Sequence, residues 1–177
     1  MADPPPVAPV PEPRAERLVD SADFVDLFQM HYPRLVRALT LSGATLPTAE
    51  DVAQEAFART FRHWRRVRRG ANPPGYLYLV AFRVLRRRGL LSTTPLDDAS
   101  IGALPASAGP GPEDAAILTV DLERALRSLP PRRRACAVMC WCLDLTPSEA
   151  ADALGIATGT VRKQLELARH DLRAELG

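Results

Sequence analysis

Residues 146–173 read T-P-S-E-A-A-D-A-L-G-I-A-T-G-T-V-R-K-Q-L-E-L-A-R-H-D-L-R. Thr146 followed three residues later by Glu149 has the pattern of a capping box, and Pro147 stands at the first helical position, where its missing N–H costs nothing. A helix therefore begins at Thr146. Ala150, Ala151 and Leu154 give it an apolar side, and Gly155 supplies the backbone freedom of a sharp exit. A second periodic segment starts about four residues on. At about 100° per residue, Val161, Leu165, Ala168 and Leu172 share one face of it, and Arg162, Lys163, Glu166, Arg169 and Arg173 share the far side. This is a helix-turn-helix pattern with one face to dock and one basic face left free. Such a helix fits the major groove, with phosphates positioning it and its first side chains reaching base edges. A helical hairpin with a solvated charged face is the other reading, and the coincidence of capping box, glycine turn and basic face favours DNA.

The rest of the chain agrees in its charge. The net charge of +2 conceals an uneven distribution, in which residues 20–90 carry +6 and residues 91–128 carry −4. Only Lys163 among the 23 Lys and Arg residues is a lysine. Arginine offers a planar fork suited to phosphate and guanine, although an excess of Ala, Pro and Arg also follows from GC-rich coding. With 177 residues and 46% hydrophobic content, the chain can bury one fair core or two small ones.

The first residues are Pro-rich and carry Asp3 and Glu12 instead of a basic segment followed by an apolar run, so no secretory signal is read there. Tyr76–Phe82, the longest candidate span, is far shorter than the roughly 20 residues a bilayer requires. A cytoplasmic protein without membrane insertion is expected. Cys136, Cys140 and Cys142 fall in one expected helix. An odd number in a reducing compartment argues against a disulfide framework, and no nearby histidine completes a metal set, so buried small hydrophobes are the favoured reading over zinc or redox sensing. No cofactor is implied.

Read in order, residues 1–19 form a Pro-rich arm expected to be disordered. A helix capped at Ser21 or Asp23 follows, with Phe24, Leu27, Phe28, Leu35, Val36 and Leu39 near helical spacing and a kink expected at Pro33. His31 is given no chemistry. Thr48 and Asp51 form a second capping-box candidate. The helix they open sets Val52, Ala56, Phe57, Thr60, Phe61 and Trp64 on one side, and begins with the acidic, polar Asp51, Gln54 and Glu55 on another. From Ala56 to Leu96 there is no acid, and ten arginines occur. Unbroken positive charge with interleaved aromatics favours nucleic acid over a merely solvated surface. Asn72-Pro73-Pro74-Gly75 reads as a loop, and Tyr76–Arg88 as a helix on which Tyr76, Arg83 and Arg87 share a face. An aromatic ring beside two guanidinium groups can stack an exposed base and hold its phosphate, and a snorkelling surface tyrosine is the alternative. Residues 89–112 change to an acidic, flexible linker rich in small residues. A helix from about Asp114 to Leu129 stops at Pro130-Pro131, and the Cys-bearing helix leads into the helix-turn-helix.

Several of these stretches together resemble a known family. D-V-A-Q-E-A-F at 51–57, preceded by H-Y-P-R-L-V-R at 31–37, is followed by L-P-P-R-R-R-A at 129–135, L-D-L-T-P-S-E-A-A-D-A-L-G at 143–155 and G-T-V-R-K-Q-L at 159–165. Their order and spacing are similar to extracytoplasmic-function sigma factors of bacterial RNA polymerase, from about residue 22 to 175. The resemblance implies an all-α fold of two small helical domains, spanning 20–88 and 113–177, joined by the linker. It implies no catalysis, with core RNA polymerase and promoter DNA as partners and an anti-sigma factor as a candidate third. By position, Asp51, Gln54, Glu55 and Phe57 match the polymerase-docking helix. Trp64–Arg88 matches the part that opens and captures the −10 element, which assigns Trp64, Tyr76, Arg83 and Arg87 to that role. Thr160, Arg162, Lys163 and Gln164 match the start of the helix that reads the −35 element, and Arg169 lies on the same basic face.

Two departures stand out. Ala81-Phe82-Arg83 occupies the place of the family's Ala-Arg-Asn, and Ala157 stands where a serine is common, so that Thr158 is expected to take the helix cap. The function implied is promoter recognition for transcription initiation. A sigma-like regulator that does not melt promoters and a plain helix-turn-helix repressor are the alternatives, and the second leaves residues 51–57 without a role.

Overall fold

The computed structural model describes residues 13–91 and 122–176, with side chains over 22–91 and 122–174. Every regular element among them is helical, as the periodicities require. The N-terminal half holds α1 (Pro13–Leu41), α2 (Leu46–Arg62), the single-turn α3 (Trp64–Val67) and α4 (Pro73–Arg87). The C-terminal half holds α5 over 122–128, α6 (Pro131–Ala137), a π-helical turn (Val138–Cys142), α7 (Pro147–Leu154) and α8 (Thr158–Leu176).

Several boundaries differ from the sequence reading. Helix α1 begins at Pro13, ahead of the expected caps at Ser21 and Asp23 and inside the expected arm. Arg14, Ala15, Glu16, Arg17 and Leu18 are good helix formers, and a leading proline suits the first turn. The helix runs on through Pro33. Helix α2 is capped by Thr45, whose hydroxyl accepts from the Thr48 amide, so the start lies ahead of the expected Thr48 cap. Pro47, which has no amide to satisfy, fits that first turn. Asn72-Pro73-Pro74-Gly75, read as a loop, is a helix start: Asn72 Oδ1 accepts from the Gly75 amide at 2.9 Å, with both prolines in the first turn. A Cβ on Gly75 would lie 2.2 Å from the Asn72 amide nitrogen, so the cap requires glycine there. Residues 1–12 and most of the expected linker lie outside the described residues.

The N-terminal core is built around aromatics. Phe24 meets Trp64 edge-on at 5.3 Å and Phe57 edge-on at 6.1 Å, and Phe57 also contacts Phe28 at 4.8 Å. Edge-to-face pairs of this kind add about 0.5–1.5 kcal/mol each beyond their buried area. Helix α4 contributes Leu77, Tyr78, Ala81, Phe82 and Leu85, all buried. The C-terminal half relies on smaller residues, with Ala150, Ala151 and Ala153 of α7 under Val161 and Leu165 of α8. Leu126 and Leu129 close the other end against Ala168 and Leu172. The two halves share one continuous apolar cluster, because α4 packs on α7 and α1 packs on the π-helical turn.

Candidate nucleic-acid interface

The helix-turn-helix closes as its residues require. The Thr146 hydroxyl accepts from the Glu149 amide at 3.2 Å, and the Glu149 carboxylate accepts from the Thr146 amide at 2.8 Å. Gly155 ends α7 at φ +66°, a conformation that costs a Cβ-bearing residue about 1–2 kcal/mol. Thr158 is the first helical residue of α8, so Ala157 and not Thr158 holds the cap position. The Ala157 carbonyl accepts from the amides of Thr160 and Val161 at 2.9 and 3.2 Å. The turn is therefore closed by backbone alone, where the sequence suggested a hydroxyl.

Helix α8 divides as its periodicity demands. Val161, Leu165, Ala168 and Leu172 are buried, whereas Arg162, Lys163, Glu166, Arg169 and Arg173 are exposed. Thr160 and Gln164 are half-buried beside the basic face. Lys163 meets Glu166 at 3.2 Å, an exposed pair of the kind worth only a few tenths of a kcal/mol and readily exchanged for a phosphate. The Arg169 guanidinium lies 5.6 Å from the ring centre of Trp141 in the π-helical turn. That stacking orients the guanidinium without neutralising it.

On α4, Tyr76 and Arg83 are half-buried and Arg87 is exposed, so the shared face read from the sequence remains accessible. Trp64 is different. It is 6% exposed and packed against Phe24, so in this conformation it is a core residue and offers no face to a base. Phe82, at the family departure, is wholly buried and adds to the core instead of the basic surface. Arg86 lies on the helix-turn-helix turn: a Cβ on Gly155 would fall 1.9 Å from its guanidinium nitrogen.

The helix assigned to polymerase divides likewise. Asp51 and Gln54 are exposed, but Phe57 is 3% exposed, in the aromatic core. Glu55 is half-buried between Arg59 and Arg88, each at 2.5 Å. Burial alone would raise its pKa, but the hydrogen bond from Arg88 and the charge of Arg59 outweigh it and hold the carboxyl below 4.5. Its charge is thus matched within the domain, and Arg88 ties the end of α4 to α2. Phe61, read as inward-facing, is 54% exposed. It continues the exposed row Asp51, Gln54, Ala58, and the i, i+3, i+7 spacing carried that signal in the sequence.

Tyr78 and His31 share a 2.7 Å hydrogen bond, and burial, then the positive charge of Arg34, pushes the His31 pKa below 6.5. The three cysteines do not lie in one regular α-helix, because Cys140 and Cys142 fall in the π-helical turn. Burial pushes the thiols of Cys136 and Cys140 up to about 11, which makes them poor nucleophiles at neutral pH. Among the described residues, no group of three His, Cys, Asp or Glu side chains is placed to hold a metal ion. None of the described helices is long and apolar enough to cross a membrane.

Comparisons with known proteins fall on the same two halves. The family model Sigma-70 region 2 matches residues 27–88, and Sigma-70, region 4 matches residues 119–172. The chain is 35% identical over 156 residues to the ECF RNA polymerase sigma factor SigE of Mycolicibacterium smegmatis, a match covering 84% of this chain and 59% of that one. It thus spans somewhat less than two thirds of the length of that relative. It is 29% identical over 162 residues to the ECF RNA polymerase sigma factor SigM of Mycobacterium tuberculosis, covering 89% of this chain and 79% of that one. Among solved structures, the sigma factor RpoE in complex with the anti-sigma factor NepR from Bartonella quintana has the same fold. The TM-score is 0.60 at 21% identity, over 87% of this chain and 96% of that one.

Proposed function

This chain belongs to the extracytoplasmic-function sigma factors, and from that premise we propose that it directs core RNA polymerase to specific promoters. The observation that carries the reading is the division of α8. Its apolar face is used up in docking, while Arg162, Lys163 and Arg169 remain exposed on a groove-sized helix. Thr160, Arg162 and Gln164 read the −35 element, with Lys163 and Arg169 on adjoining phosphates. Tyr76, Arg83 and Arg87 take the −10 strand by stacking and charge. Asp51 and Gln54, joined by the exposed Phe61, dock on polymerase; Phe57 and Glu55 shape that surface from beneath. The chain acts in the cytoplasm, carries no catalysis of its own and lends recognition to the chemistry of polymerase. An anti-sigma factor is a candidate regulator, since the structural relative RpoE is held by one.

A sigma-like regulator that binds polymerase without opening DNA is the second reading, and the burial of Trp64 favours it. Transcription from fragmented genomic DNA by core polymerase, with and without this chain, separates the two. Starts that appear only with the chain and share an upstream motif support the first reading. Co-purification with polymerase and no new start supports the second.

A further inference from the structure

Trp141 belongs to the π-helical turn, yet its ring reaches α8. Val138 and Met139 of that turn are buried, and Trp141 is half-buried, packed against both apolar clusters of the chain. The ring is thereby held from two sides. Over it lies the Arg169 guanidinium, 5.6 Å from the ring centre. Arg169 stays exposed, and among the described residues no carboxylate pairs with it, whereas Lys163 on the same helix is paired with Glu166. Arg162 and Arg169 are seven residues apart, so they share a face of α8 within about 20° and lie about 10.5 Å apart along its axis.

We propose that Trp141 is a positioning residue for promoter binding: its ring holds the Arg169 guanidinium where it grips one DNA backbone phosphate beside the −35 element. The inference rests on the sigma-factor reading and deepens it, since it adds a residue outside the helix-turn-helix to the −35 contact. Stacking and phosphate binding use different parts of the guanidinium. The ring attracts its flat face, while the N–H donors lie in its plane and point outward, so both are satisfied at once. A carboxylate partner would occupy those same donors and have to be displaced, as Glu166 must be from Lys163. An arginine in open water loses rotamer freedom when it binds, and the ring removes part of that loss in advance. Two turns beyond the start of the helix, a phosphate is the fitting ligand, because base edges are reached from the first residues.

The local backbone agrees. π-helical turns occur mostly at functional sites. This one is closed by the Leu143 amide on the Val138 carbonyl at 3.2 Å, and it leaves Cys140, Trp141 and Cys142 half-buried at its rim. Neither cysteine is a ready nucleophile, since burial raises both thiols, so the ring is the part of the rim with a binding role to play.

The test scans the −35 region of a promoter taken from a mapped transcription start, using duplexes that each carry one neutral methylphosphonate. Binding is measured for core polymerase loaded with the full-length wild type or a variant. In wild type, each contacted phosphate should cost about threefold or more when neutralised, about what one phosphate contributes between about 50 and 200 mM salt. Arg169→Gln should lose the penalty at one of these positions and keep the others. Trp141→Leu should lose most of the penalty at that same position, and the double variant should be no worse there than Arg169→Gln alone. Trp141→Phe, which keeps the packing and a weaker ring, should restore an intermediate penalty. If Trp141 only packs, Trp141→Leu binds less well yet senses every phosphate as wild type does, and that result overturns the proposal. An Arg169→Gln that loses no position overturns it too. Should Trp141→Leu fail to fold in a urea titration, Trp141→Phe decides, and full wild-type sensitivity at the Arg169 position counts against the proposal. Failure of the wild type to direct any start with core polymerase would instead overturn the reading on which it rests.

Discussion

The two halves of this molecule use their motif residues in opposite ways. In the C-terminal half, the residues that mark the helix-turn-helix in the sequence perform that role in the structure, except that Thr158, expected as the cap, is the first helical residue of α8. Thr146 and Glu149 cap, Gly155 turns, Val161 and Leu165 dock, and Arg162 and Lys163 remain exposed. In the N-terminal half, Phe57 and Trp64 match positions assigned to polymerase and DNA, yet both lie in the aromatic core, and Glu55 is held between Arg59 and Arg88. Matching a motif is therefore different from facing a partner. Where a small-residue core leaves long side chains outside, motif and surface coincide; where aromatics build the core, some motif residues act through the fold.

The largest test of this contrast is Trp64→Ala. Removing a buried tryptophan should cost about 3–5 kcal/mol in a urea unfolding titration. Unchanged stability with a selective loss of promoter opening would return Trp64 to the DNA surface. Thr146→Ala should cost about 1 kcal/mol by the same measurement, because it removes the capping acceptor of α7. No loss would mean that packing alone sets the turn. Lys163→Ala should leave unfolding within about 0.5 kcal/mol of wild type, as an exposed residue. Its effect should appear in DNA binding, weakened alike on all sequences, with the salt slope reduced by about 1.

The smallest effect concerns Glu55. Its folded pKa is lowered, so its contribution is present above about pH 4.5 and is lost as pH falls through the lower folded value. The stability advantage of wild type over Glu55→Gln should be visible at pH 7 and shrink below pH 4.5. An advantage that does not change with pH would show that the arginine clamp is not its source.

What was legible in the sequence follows the same divide. The capping box and the two faces of α8 depend on residues three or four apart, so local hydrogen bonding and helical periodicity determine them. The caps at Thr45 and Asn72 were less visible, since Pro47 and Pro73-Pro74 read equally as loop signals and as first turns. Phe61 and Trp64 are three residues apart, and their apolar character placed them on one side of a single helix. The break at His63, where α2 ends and α3 begins, sends one outward and the other into the core. The approach of Arg34 to Asp144 joins residues 110 positions apart and depends on a π-helical turn that no local pattern announces. Arg86 was one of ten arginines in the basic run, and only the tertiary fold sets it over Gly155.

The central claim is that the free face of α8 reads promoter DNA for polymerase, and Arg162 tests it most directly. Core polymerase with wild type or Arg162→Ala would transcribe fragmented genomic DNA, with transcript 5′ ends mapped in both reactions. With Arg162→Ala the shared −35 motif should relax at the contacted position by about 1–3 kcal/mol of discrimination, while the −10 motif persists. Identical −35 motifs in the two reactions would contradict it and remove Arg162 from the DNA interface.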